Sequence, residues 1–107
     1  MSFDVERVSC ELIATLRPLL PSIQRRDRSL AVQITRAASS ISLNVSEGNY
    51  SDPGNRRARF FTAAGSANET RSALRVALAW GYIGHEQAAG ALGLLDRVLA
   101  MLWKLTH

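Results

Sequence analysis

Apolar residues recur along this chain at three- and four-residue steps, and no convincing run alternates as a strand would. Val5, Val8, Leu12, Leu16 and Leu19 form the first series, the mark of a helix with one buried stripe. That helix is expected to begin near Ser2 or Asp4, whose side chains can cap free backbone amides. It should end around Pro18, with Leu20-Pro21 closing it. A short polar connection is expected from Pro21 to Arg26. Asp27 then suits the N-cap of a second helix running to about Glu47, on the stripe Leu30, Ile34, Ala37, Ile41 and Val45. Gly48 is expected to close it in the left-handed conformation.

Asn49 to Asn55 contains Asp-Pro-Gly turn chemistry and reads as a loop. A third helix is predicted from Asn55 to Trp80, on Phe60, Ala64, Ala67, Leu74 and Leu78. Arg71 falls inside that stripe. It needs a carboxylate there, with Glu69 and Glu47 as candidates, or else the helical phase is displaced by one residue. Ala63, Ala64, Gly65, Ser66 and Ala67 make the middle of this helix thin, which suits close helix packing. Gly81 to Gly84 turns the chain into a fourth helix from His85 to Leu105, on Ala88, Leu92, Leu95, Leu99 and Leu102. Four helices with short connections give an all-α fold: one domain over residues 1–107, an antiparallel up-down-up-down four-helix bundle.

The second helix carries a further signal. At about 100° per residue, Arg36, Ser40 and Glu47 lie well off its core stripe. Val32 and Leu43 fall on that same outer side, next to Ser39 and Ser46. A face mixing apolar, small and charged groups suits contact with another subunit better than contact with water alone. Arg36, Ser40, Leu43, Asn44 and Glu47, with Ser66, Asn68 and Glu69 of the third helix, are the candidate polar network and oligomer interface.

Composition narrows the function classes. The chain has 107 residues, 47% of them hydrophobic and 21% charged, as a globular domain should. No apolar run approaches the ~20 residues that cross a bilayer. The first residues are acidic and unlike a signal peptide. A soluble, cytoplasmic protein with no membrane association is expected. Cys10 is the one cysteine, so an internal disulfide is excluded, and its surroundings suggest a small buried hydrophobe. His85 and His107 lack paired-ligand spacing, and the inward Glu-x-x-His pairs of di-iron bundles are missing. No histidine stands by a serine as a base, and there is no phosphate-binding glycine loop. No catalytic residue, metal or cofactor is assigned.

The formal charge is +4, carried by 13 basic residues against 9 acidic ones. Two arginine groups stand out: Arg25, Arg26 and Arg28 before the second helix, and Arg56, Arg57 and Arg59 at the start of the third. Both oppose the helix dipole where they stand, which suggests a task other than stability. Arginine forks match phosphate well, so these six are the candidate nucleic-acid contacts.

The stretch Gln33-Ile34-Thr35-Arg36-Ala37-Ala38-Ser39-Ser40-Ile41-Ser42-Leu43-Asn44-Val45-Ser46-Glu47-Gly48 resembles the Q-x-x-R-A-x-x-S-I-x-x-N-I-A-E-G signature of the four-helix-bundle family named for the 23S rRNA intervening sequence. The resemblance continues through Arg59-Phe60-Phe61, Ala64 to Glu69 and Gly81-Tyr82-Ile83, with Ser46 departing from the usual alanine. It implies a ring-shaped homo-oligomer, a pentamer, without catalysis. One relative it brings in is the accessory variability protein of diversity-generating retroelements, a basic pentamer that binds nucleic acid and a reverse transcriptase. The expected function is a non-catalytic, homo-oligomeric bundle that binds RNA or DNA through arginines as an accessory or adaptor protein. The rival is a protein-interaction scaffold without nucleic-acid binding. A third reading, an enzyme or small-ligand carrier, would have to use the region of Glu47 and Glu69.

Overall fold

The computed structural model describes residues 3–107, and five helices hold nearly all of them. They are α1 (Phe3–Leu16), α2 (Leu20–Arg26), α3 (Arg28–Asn49), α4 (Pro53–Ala79) and α5 (His85–Thr106). Ser2, one expected cap of the first helix, lies outside the described residues. The long helices form a bundle in which α1 packs on α3 and α5, and α4 packs on the same two. The rod measures 42 × 22 × 19 Å.

The core follows the helical stripes. Val5, Val8, Leu12, Leu16 and Leu19 are all buried, as are Leu30, Ile34, Ala37, Ile41 and Val45. Burying one such large side chain stabilises the fold by roughly 1.5–3 kcal/mol. Asp27 caps α3 as expected, its carboxylate accepting from the Leu30 amide at 3.0 Å. Residues 20–26 depart from expectation, because they form α2 instead of a connection. Pro21 stands at its first turn, where a missing N–H loses nothing and the fixed φ is already helical. Ile23 anchors this short helix and is fully buried.

On α4 the expected phase is displaced by one residue at alternate turns. Phe60, Ala67 and Leu74 are buried as anticipated, but Ala63, Thr70 and Ala77 take the places assigned to Ala64, Arg71 and Leu78. Arg71 therefore sits at the edge of the helix, where it bonds Asp96 of α5 at 3.2 Å and the Asn68 side chain at 3.0 Å. Its carboxylate is neither Glu69 nor Glu47. A similar slip on α5 buries Ala91 and Val98 and leaves Leu92 and Leu99 half-buried. Cys10 is exposed on α1, its thiol 3.8 Å from the Ser42 hydroxyl, and is not the buried hydrophobe expected.

Gly48 is the sharpest correction. It keeps helical backbone, α3 continues to Asn49, and Tyr50 is the C-cap. A Cβ at Gly48 would lie 2.6 Å from Phe60 Cε1 and 2.9 Å from Phe60 Cδ1. This glycine serves close approach between α3 and α4. The left-handed glycine is Gly81, with φ of 75°. There the Tyr82 amide donates to the Ala77 carbonyl and the Gly81 amide to the Leu78 carbonyl, a Schellman closure of α4. The loop before α4 shrinks to residues 50–52, since Asp52 caps the helix through the Asn55 amide at 3.1 Å.

Candidate nucleic-acid interface

Neighbouring helices set the two arginine groups apart. Ser9 meets Ser42 and Glu6 meets Asn49, so α1 and α3 run in opposite senses. Ser40 meets Ser66 and Glu47 meets Arg59, which reverses α4 against α3. Arg57 reaches Thr106 and Arg71 reaches Asp96, which reverses α5 against α4. The start of α4 therefore lies beside the last turns of α3 and α5, while α2 and the start of α3 lie at the opposite end.

At the start of α4 each arginine is engaged. Arg56 donates from Nε to the Gly48 carbonyl at 3.3 Å and from Nη2 to the Ser51 carbonyl at 3.2 Å. Arg57 donates to the Thr106 carbonyl at 3.1 Å and lies over the Phe61 ring, 5.2 Å from its centroid. Arg59 pairs with Glu47 at 3.0 Å and reaches the Asn44 side-chain oxygen at 3.4 Å. Gly48 and Thr106 belong to the last turns of α3 and α5, whose carbonyls lack helical partners and carry partial negative charge. The dipole these arginines oppose on α4 is thus offset by the two helix ends they satisfy. These arginines therefore have a bonding role beside the other task suggested for them.

The other group is bare. Arg25 makes one long contact, to the Ser22 hydroxyl at 3.4 Å. Arg26 and Arg28 have no hydrogen bond or ion pair among the described residues, and all three side chains are exposed. Arg17, Arg36, Arg71 and Arg75 belong to the same half of the rod, where the acids are Asp27, Glu69 and Glu86. In the opposite half Arg7, Arg56, Arg57, Arg59 and Lys104 are balanced by Asp4, Glu6, Glu11, Glu47 and Asp52. Asp96 and Arg97 stand between and cancel. Most of the net charge of +4 is therefore carried by the α2 half.

Along the α3–α4 seam, the polar candidates join into a chain. The Ser66 and Ser40 hydroxyls are 2.8 Å apart, and the Asn44 amide donates to the Ser40 hydroxyl at 3.0 Å. Arg59 then links Asn44 to Glu47. Arg36 and Glu69 stand outside this chain, with no ion pair or hydrogen bond among the described residues. Both line an open groove of about 840 Å³ with Arg28, Val32, Ser40 and Ser66. A second groove of about 490 Å³ runs on past Leu43, Asn44 and Glu47. Glu47 and Glu69 thus line separate grooves and do not meet. Val32 in the first groove and Leu43 in the second are 48% and 64% exposed, two apolar side chains left open on the outer face of α3.

With this geometry in view, a family profile described as 23S rRNA-intervening sequence protein matches residues 3–104. The chain belongs to that family. No match is found among curated proteins. The fold is similar to that of a protein of unknown function from the S23 ribosomal protein family of Bacteroides thetaiotaomicron, with a TM-score of 0.87. That likeness covers 95% of this chain and 97% of the other at 21% identity. In this member of the 23S rRNA-intervening sequence family, the sequence reading missed Arg17 and Arg75 as cations of the α2 end. Opposed helix directions are the signal that would have found them, because they bring the end of α1 and the end of α4 to the start of α3. No helix among the described residues is long and apolar enough to cross a membrane.

Proposed function

We propose that this protein is a non-catalytic, homo-oligomeric helical bundle that binds RNA or DNA through the α2 end. One observation carries the reading: the charge surplus gathers at that end, where Arg25, Arg26 and Arg28 have no carboxylate partner among the described residues. Free guanidinium groups can exchange water and counterions for phosphate, whereas arginines bonded to backbone carbonyls must first break those bonds. Arg25, Arg26 and Arg28 are the main phosphate contacts. Arg56, Arg57 and Arg59 contribute through net charge alone. The test is affinity for RNA and for duplex DNA as a function of salt. Binding that weakens steeply with salt supports the reading, and no binding at low salt removes it.

Self-association is supported by the outer face of α3. Exposed Val32 and Leu43, in grooves that also hold Arg36 and Glu69, give this face the mix of apolar and charged groups that a copy of itself needs. The four long helices are read as an up-down-up-down bundle, supported by the opposed senses of the three helix pairs above. The family resemblance adds a pentameric ring and an accessory role beside a protein such as a reverse transcriptase. Light scattering tests the assembly, and Leu43→Glu is expected to dissociate it. A scaffold that binds only proteins is the second reading, favoured by the same α3 face. A stable oligomer with no affinity for nucleic acid would select it.

A further inference from the structure

The α2 end presents more than charge. Trp80 follows the last residue of α4 and is 69% exposed, the second most exposed large apolar side chain of the described residues after Tyr50. It does not stand alone, because its ring lies nearly parallel to that of Tyr82, 13° apart with centroids separated by 6.4 Å. The Gly81 turn sets this pair: the positive φ at Gly81 turns the chain after Trp80, and Tyr82 is tied to Ala77 by its amide. Trp80 thereby presents a flat aromatic surface, near-parallel to its neighbour and mostly open to solvent.

Its position relative to the arginines follows from helix register. Ser40 faces Ser66, Glu47 faces Arg59 and Gly48 faces Phe60, so residue numbers on α3 rise as those on α4 fall. Carried to the other end, that register brings Arg28 level with the last turn of α4, where Trp80 begins the turn. The rod is only 22 × 19 Å across, so Trp80 and the exposed Arg25, Arg26 and Arg28 lie together at this one end.

We propose that this end is a site for single-stranded nucleic acid, in which an unpaired base stacks on Trp80 while Arg25, Arg26 and Arg28 hold the adjoining phosphates. This rests on the polyanion reading above and goes beyond it by naming the form of nucleic acid. An exposed indole has no base to meet in a duplex, whose bases already stack on one another. In a single strand every base has a free face, and a basic surface with an aromatic platform is how such strands are gripped. The second exposed tryptophan provides an internal contrast. Trp103 is 60% exposed but stacks on His107, with centroids 4.5 Å apart, at the end where charges balance. The cations at that end, Arg57 and Lys104 among them, are matched by an equal number of acids and leave no surplus to draw a strand.

The test is fluorescence anisotropy at low salt, with labelled oligothymidylate of about thirty nucleotides and a GC-rich duplex of equal phosphate count, about fifteen base pairs, that stays paired under those conditions. The wild-type protein is expected to prefer the single strand. Trp80→Ala should weaken strand binding about tenfold and leave duplex binding unchanged, with Trp80→Phe keeping most of the affinity. Trp103→Ala should change neither. Circular dichroism checks that each variant is folded. Equal binding of strand and duplex, or a Trp80→Ala variant that binds the strand like wild type, overturns the single-strand site while leaving the polyanion reading standing. Binding of neither form removes both.

Discussion

Arg25, Arg26 and Arg28 and Arg56, Arg57 and Arg59 are nearly the same string of letters, but they stand differently on their helices. Arg25 and Arg26 close α2, where the dipole favours a cation and not the opposition expected, while Arg28 opens α3 and the other three open α4. The bundle gives them opposite fates. The α4 group stands beside two helix ends whose carbonyls need donors, so it becomes internal bonding between α3, α4 and α5. The α2 group lies by the ends of α1 and α4. Those ends close carbonyls through their own backbone, Leu19 to Leu16 and Tyr82 to Ala77, and the arginines there remain exposed cations. A helix N-terminus disfavours positive charge only until its antiparallel neighbours are counted. What decides whether an arginine is structural or available is therefore the element opposite it.

The comparison can be broken first at the closely packed end. Phe60→Ala should cost about 3–5 kcal/mol in chemical denaturation, since it empties a fully buried site against Gly48. Gly48→Ala should cost about 1–3 kcal/mol by overpacking the same contact, and the two changes together should cost less than their sum. Next in size, replacing Arg56, Arg57 and Arg59 with glutamine should lower stability by about 2 kcal/mol, because three partly exposed contacts are lost. The matched replacement of Arg25, Arg26 and Arg28 should leave the denaturation midpoint nearly unmoved. A loss of similar size in both variants would erase the distinction between the two ends.

A smaller effect belongs to acid. The Asn55 amide, and after it the Asn55 side chain, bond the Asp52 carboxylate and hold its pKa below the ordinary value of 3.8. A carboxylate depressed in the folded state adds stability that is full above its unfolded pKa and is lost as pH falls through the folded one. The expected result is a decline in Tm below about pH 4 that Asp52→Asn reduces, read by thermal denaturation across pH.

Much of the fold was legible because α1 and α3 write their buried faces in large residues. Val8, Leu12, Ile34 and Ile41 leave little freedom in where those helices point their cores. The middle of α4 is written in alanine, serine and glycine, where neighbouring positions differ little in hydropathy, and its phase slipped there. Pro21 was read as a stop because proline both ends helices and opens them, and only buried Ile23 shows which. Gly48 has two possible uses, and the Phe60 ring that selects between them lies in another helix. The site was legible as residue types and blurred as roles. Ser40, Asn44, Glu47 and Ser66 were recognised as a set, but Arg59 as their link and the engagement of Arg56 and Arg57 depend on contacts across helices.

The central claim is that availability, not arginine count, makes the interface. The two glutamine triples remove the same formal charge, so measuring nucleic-acid affinity against salt for both variants isolates position from net charge. The account predicts that replacing Arg25, Arg26 and Arg28 lowers the salt slope by about three, while replacing Arg56, Arg57 and Arg59 leaves it close to wild type. Equal losses from the two, or the larger loss from the α4 group, would contradict it.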